Sequence, residues 1–389
     1  MKDLFFEFLR FSLNERAGWT RVISAEDWRG LLKMAKRQTL VGVMFEGVKR
    51  MEEGNKPPKD VLLEWFAQSE RIKACNKRLN KECATVSKHF EENGFYTCIL
   101  KGQGNALLYQ QPDLRIPGDI DIWVWPKDEV AEQSKLSIRR KKVVNFIVAN
   151  AGFQPCFYHH VDYPLLDTTE VEVHFTPTWL HNPWHNRRLQ RYVEGEAIAS
   201  FRNKRKIGEE MCATPTWKLN VVFQLIHLQN HLIGEGIGLR QMMDYYYLLT
   251  TDNGKGSTRN GKGGTVKREL LTGGDVDSVE QMIERLGLKR FAGATMWVLH
   301  KVFGVEEHRY LVPADKELGE FLLHEIMLSG NFGQYDKRID QRHQQQMLTR
   351  VWFRFIRSLK FHKMCGAEIR WSIPFKLWHY FWRRQWKSV

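Results

Sequence analysis

Gly118-Asp119-Ile120-Asp121-Ile122-Trp123-Val124-Trp125 alternates acidic or aromatic side chains with aliphatic ones, and a two-residue period is that of an extended strand. Residues i and i+2 of a strand project to the same side, so Asp119 and Asp121 are neighbours on one face and Ile120 and Ile122 pack inward on the other. Two close carboxylates repel and raise one another's proton affinity. A divalent cation between them removes that conflict, and a set of oxygen ligands suits Mg2+ or Mn2+. A single acid-x-acid strand is more often a solvated edge; its meaning depends on what stands around it.

Working outward, Phe95-Tyr-Thr-Cys-Ile-Leu100 is a short run of β-formers, followed by the turn Lys101-Gly102-Gln103-Gly104, with Asn105–Tyr109 able to start a helix. Lys135–Ala151 reads as a helix closed by Gly152, and Glu170-Val-Glu-Val-His-Phe175 alternates strictly as another strand. Strand, turn, helix, strand, helix, strand describes a small α/β unit. On the last strand Glu172 shares a side with Glu170 and His174 and can complete a three-carboxylate set. Glycine at the earlier turn lets backbone N–H groups approach a phosphate, and a helix N-terminus adds a favourable dipole. Lys101 and Arg115 are placed to contact a triphosphate. Together these parts suit phosphoryl transfer, in which metal clamps the departing pyrophosphate and an acid orients or deprotonates the attacking hydroxyl.

The flanks read as helical. Leu4, Phe5, Phe8 and Leu9 recur at helical spacing, Ser24-Ala-Glu-Asp27 is an imperfect capping box, and Pro57-Pro58 precedes a long helical stretch from Lys59 to Glu92 that Asn93-Gly94 ends. Helices return from Thr216 to Thr250, and Asp252–Gly264 is Gly-rich, cationic and without apolar periodicity. The expected class is therefore α+β, a small mixed-sheet core embedded between helical N- and C-terminal regions. Its expected divisions are a helical region over 1–93, the core over 94–200, a helical segment on the core over 201–250, a flexible loop over 251–275, and a helical region with a basic aromatic tail over 276–389.

The chain has 389 residues and a formal net charge of +14. Eleven Lys/Arg against the single acid Glu368 fall within residues 341–389, a field that attracts phosphate, nucleic acid or anionic lipid. Its aromatics and cations can separate onto two helical faces, so an anionic membrane surface or nucleic acid is a candidate partner there, beside simple packing on the body of the protein. Six scattered cysteines without a C-x-x-C pair read as reduced thiols. Charges at Asp3, Glu7 and Arg10 break any leader-like apolar run, which with the absence of a long apolar stretch makes a cytoplasmic location the expectation.

The run Ile99-Leu-Lys-Gly102, then Leu108-Tyr109, Pro112, Arg115 and Asp119-Ile-Asp-Ile122, resembles the signature of the uncharacterised bacterial nucleotidyltransferases of the DNA polymerase beta superfamily. Glu172-Val173-His174 matches that family's later acid-x-His strand, and His227, His231, Arg240 and Asp244 match its helical His, Arg and Asp positions. The resemblance spans roughly residues 30 to 250. It implies a minimal nucleotidyltransferase fold with Mg2+ ligands at Asp119, Asp121 and Glu172. This chain departs from the pattern in carrying Gln103 where a small residue is usual, and in having glutamate as third carboxylate.

His227 and His231, four apart, share a helical face and so offer a zinc-type spacing, but without an intervening H-E-x-x-H glutamate. The preferred reading is an internal polar network in which His231 or Arg240 supports the site or meets the nucleotide. The histidines at 159, 160, 181 and 185 fall in a loop-like stretch and are given no role. The expected function is Mg2+-dependent transfer of a nucleoside monophosphate from an NTP to an unidentified acceptor. Asp119, Asp121 and Glu172 form the catalytic and metal set, and Lys101, Gly102, Gln103, Arg115, His231 and Arg240 meet the nucleotide. The alternatives are a catalytically inactive nucleotide- or nucleic-acid-binding protein of the same fold, and a membrane-peripheral protein acting through the tail.

Overall fold

Strands that alternate apolar and polar side chains must bury one face, and the central sheet does so against helices from both sides of the sequence. The computed structural model describes residues 1–129, 135–251, 273–336 and 356–386. Most of the Gly-rich stretch expected as a flexible loop, and the tail between 337 and 355, lie outside those residues. The strands are β1 (Phe95–Ile99), β2 (Ile120–Pro126), β3 (His160–Asp162) and β4 (Val171–His174), in the order β1-β2-β4-β3. The β1–β2 and β3–β4 pairs are antiparallel and β2–β4 is parallel, so the sheet is mixed as expected.

Four helices precede the sheet: α1 (Lys2–Leu13), α2 (Ala25–Arg37), α3 (Val41–Lys49) and α4 (Lys59–Glu92). Ser24 caps α2 by accepting from the Asp27 N–H at 3.1 Å. The long α4 follows Pro57-Pro58 and ends before Gly94, whose φ of +85° suits glycine. After the strands begin come α5 (Gln103–Ala106), α6 (Leu136–Ala151), α7 (Pro183–Arg202), a two-stranded hairpin of β5 (Lys204–Ile207) and β6 (Glu210–Ala213), α8 (Trp217–Gly234) and α9 (Leu239–Thr250). The described C-terminal part holds α10 (Gly273–Arg285), α11 (Lys289–Phe303), α12 (Lys316–Ser329) and α13 (His362–Gln385).

Three local expectations change. The helix starting at Asn105 is a single turn, Gln103–Ala106, because the chain must swing away to reach β2. His160, read as loop, opens β3. His185, read as loop, lies in the first turn of α7, which Asn182 caps by accepting from Trp184 and His185 N–H.

One sheet face, with Ile99, Ile120, Ile122, Val124, Val171 and Val173, packs on α6 and the C-terminal half of α4. On the opposite face Cys98, Trp123 and Trp125 join the large helical cluster, Trp123 lying 4.7 Å from the Phe201 ring of α7. That second face is apolar only toward the end of β2. Toward its beginning the same side carries Asp121.

The segment from Leu107 to Gly118 delivers Asp119 and Asp121 to that place, and helices on both sides hold it. Gly42 of α3 lies so close to it that a Cβ there would meet Leu114 O at 2.3 Å. From α4 the buried Asn76 amide donates to Asp113 O at 2.7 Å and Arg115 O at 2.8 Å, satisfying carbonyls that no ladder or helix serves. Asn76→Ala should lower stability by about 1–3 kcal/mol in urea unfolding and speed proteolytic cleavage between residues 107 and 119, since it leaves those carbonyls without their buried donor. An unchanged midpoint and cleavage rate would mean that this amide does not hold the segment.

Candidate active site

In the parallel register of β2 and β4, Asp121 stands beside Glu172 and Trp123 beside His174. Across β3–β4, Asp162 pairs with Glu172 and His160 with His174. Same-face residues of three neighbouring strands thus gather two histidines and three carboxylates into one patch. Asp119 lies just before β2, half-buried, and the turn after β1 carries Lys101 over the same patch.

Lys101 Nζ lies 3.0 Å from Asp121 Oδ1, and His174 Nε2 lies 3.0 Å from the same oxygen. His174 Nε2 is also 3.3 Å from Glu172 Oε2. Burial disfavours the charged His174 imidazole, but hydrogen bonds to Asp121 and Glu172 outweigh it and raise the pKa to about 9. Burial also works against the Lys101 ammonium, yet Asp121, Asp119 and Glu172 hold its pKa above the ordinary lysine value. Glu172, which burial alone would push up, is held below the usual carboxylate range by His174, His160 and Lys101. Glu172 therefore favours its ionised form beside His174 and Lys101. Asp121 is 2% exposed, and its Oδ2 is buried without a hydrogen-bond partner.

The turn is shaped by Gly102, whose φ of +54° is the left-handed region and whose Cβ, if present, would meet Asp119 O at 3.4 Å. Gln103 is buried and its side-chain amide donates to Asn80 Oδ1 of α4. The unusual residue therefore points its side chain into the helical layer.

Arg115 sits behind the patch, 3% exposed. Its Nε and Nη2 donate to the two Asp244 oxygens of α9, each at 2.8 Å, and the Tyr109 hydroxyl donates to Asp244 Oδ1 at 2.6 Å. A bidentate arrangement commits the guanidinium fork, so Arg115 serves as a strut between the β2 approach and α9. Arg240, at the start of α9, donates from Nη1 to Ile116 O at 3.1 Å and lies within electrostatic reach of Asp119. His231 is half-buried at the last turn of α8, its ring 4.3 Å from His227 and 5.1 Å from Phe332. Burial pushes His227 well down in pKa, and Lys101, His231, His174 and Arg240 push the same way. Helix α8 thus looks onto the patch through His227, with His231 one turn further out.

The ligand atoms of Asp121, Glu172 and His174 all lie within 4.8 Å of one another, and those of His159, His160 and Glu172 do likewise. His174 was legible as the end of the acid-x-His pattern, but no periodic signal marked His159 or His160.

Residues 24–258 match a family described as "Uncharacterised nucleotidyltransferase". That span is more than half of the chain and contains the whole patch, α8 and α9. The chain belongs to this family. No curated protein and no solved structure matches it.

Because Arg115 and Asp244 neutralise each other where water is excluded, removing one partner strands a buried charge. Arg115→Leu or Asp244→Leu alone should cost about 3–5 kcal/mol in denaturant unfolding, and the double Leu variant distinctly less than the sum of the two. Additive losses would show that the pair is not coupled.

Proposed function

We propose that this chain is a metal-dependent nucleotidyltransferase that moves a nucleoside monophosphate from an NTP to an acceptor hydroxyl or phosphate, releasing pyrophosphate. The observation that carries the reading is the side-by-side placement of Asp121 and Glu172 across the β2–β4 register, with Lys101 over them. Family membership supports transferase chemistry in general.

The residues fit a hard divalent cation. Asp121 Oδ2 is a buried oxygen without a partner, and two carboxylates and an imidazole converge there. Asp119, Asp121 and Glu172 would hold Mg2+ or Mn2+, which when bound supplies positive charge for the phosphate oxygens and the leaving pyrophosphate. Lys101, at the end of a long stem, exchanges its contact with Asp121 for the phosphates of the incoming nucleotide. The turn at Gly102 and Gln103 presents backbone to them, since Gln103 keeps its side chain turned toward α4. Arg240 and His231 line the approach from α9 and α8, and Arg115 keeps that wall in register through Asp244. In the transfer, the acceptor oxygen forms a bond to the α-phosphorus, the bond from that phosphorus to the bridging oxygen of the β-phosphate breaks, and the acceptor proton passes to a carboxylate such as Glu172.

Each labelled NTP, incubated with the protein, Mg2+ or Mn2+ and a cell extract, should leave label on an acceptor. Asp119→Asn and Asp121→Asn should lower that transfer by more than about 100-fold, beyond the usual effect of outer-shell changes. Mg2+-dependent NTP binding without any transfer would favour the non-catalytic nucleotide-binding alternative, and no such binding would end the enzymatic reading.

We also propose that α13 rests on an anionic membrane surface. Its inner side is anchored: Glu368 accepts from the backbone N–H of His181 and Asn182, and Trp382 lies 4.8 Å from the Arg140 guanidinium. Its outer side leaves Ile373, Leu377, Tyr380 and Phe381 exposed in a ridge, with Arg370 and Arg384 on the same side. Buried Glu368 is the one acid in this helix. Apolar side chains flanked by cations suit the boundary of anionic lipid. The full chain should float with anionic liposomes and not with zwitterionic ones, and Leu377→Asp with Phe381→Asp should abolish flotation. Failure of the parent chain to float would overturn this assignment.

A further inference from the structure

Beside the Asp121 carboxylate, on the outer side of Glu172, lies a second group of ligand atoms with a different chemistry. His159 Nε2 and His160 Nδ1 are 2.9 Å apart, and His160 Nδ1 is 3.8 Å from Glu172 Oε2. We propose that His159, His160 and Glu172 hold a second divalent cation of the nitrogen-accepting kind, such as Zn2+, Mn2+ or Co2+, with Glu172 shared between this position and the one at Asp121. The inference rests on the reading of Glu172 as a metal ligand.

The donor set separates this position from the first. Two imidazoles and one carboxylate favour borderline transition metals, whereas carboxylates suit Mg2+. Both rings are held. The His159 ring stacks on Trp179 with centroids 3.8 Å apart and planes 29° apart, and the His160 ring lies against Phe157 at 4.7 Å. Behind His160, Asp162 Oδ1 is 3.5 Å from Nε2, which leaves Nδ1 to face His159 and Glu172. A carboxylate behind an imidazole is the usual support of a metal-ligating histidine.

A hydrogen bond between the two histidines would account for one nitrogen of each ring. It does not account for the convergence of both rings on Glu172, whose ligand atom lies within 4.8 Å of theirs. His159 Nδ1 is also buried and lacks a partner. Two imidazoles and a carboxylate with converging ligand atoms, and a buried ring nitrogen left over, form an arrangement that a cation completes.

The test is titration of the metal-free full-length protein with Co2+, followed by visible absorption and by bound metal per chain. The parent should take up two equivalents, with the visible bands of nitrogen and oxygen ligation and no thiolate band. His159→Gln and His160→Gln should each lose one equivalent and those bands, while Asp121→Asn loses the other. Asp162→Asn, which keeps every ligand, should weaken the histidine-dependent equivalent about 10-fold, a readout that stands if a histidine variant fails to fold. Equal uptake by folded parent and histidine variants, or no effect of Asp162→Asn, would overturn the inference. Mg2+-dependent NTP binding is measured on the same samples. Its absence alongside histidine-dependent Co2+ uptake would defeat the nucleotidyltransferase reading and leave this metal site standing.

Discussion

Asp121 and Glu172 are set side by side by the parallel register of β2 and β4, and two carboxylates so placed must be compensated. The surrounding structure meets that requirement in several ways at once. Lys101 comes in from the turn after β1, and His174, on Glu172's own strand, reaches both acids. A raised pKa for His174 and a lowered one for Glu172 are two sides of the same attraction, so neither belongs to one residue alone. Dry apolar packing on the other face, through Ile120, Ile122, Val171 and Val173, fixes the register and keeps the acids from moving apart.

The sheet's two-sidedness explains why the patch stops where it does. On the face that bears Asp121, residues 123 and 125 are tryptophans, and both join the helical cluster. One strand therefore changes from a buried polar site to an apolar core element within two residues. The segment before it cannot rely on ladder bonds, and other elements supply the constraint. Asn76 serves its carbonyls, Gly42 lets α3 close on Leu114, and the Arg115–Asp244 pair ties it to α9. These contacts come from α3, α4 and α9, which is why helical regions far apart in sequence belong to one working unit.

Much of this was legible in the chain. Alternation at Asp119–Trp125 and Glu170–Phe175 revealed both strands and which side of each carried acids, because a half-buried strand writes its burial into a two-residue period. The helix read between them, α6, lies in the connection that the parallel β2–β4 pair needs. Pairing register was not legible, since either strand could have slipped by two residues without changing which face is polar. The Arg115–Asp244 contact was hidden for a similar reason. Arg240 and Asp244 show as neighbours on a helix, but the partner that Asp244 takes stands 129 residues away. His160 escaped because a three-residue strand is too short to show a period, and His159 lies just before it. Gln103, read as an anomaly in a phosphate turn, needed only the direction of its side chain.

That direction bears on competence. A bulky residue in a phosphate turn obstructs only if its side chain occupies the face that meets the ligand. Gln103 spends its amide on Asn80 of α4, so the turn keeps a face shaped by Gly102 and overlooked by Lys101. The longer third carboxylate has a comparable reading. Glu172 stands on β4 between β2 and β3, beside Asp121 on one side, and its longer side chain brings Oε2 to 3.8 Å from His160 Nδ1 of β3 on the other. The two departures from the family pattern therefore act in opposite directions: one is absorbed by the helical layer, while the other enlarges the charged patch.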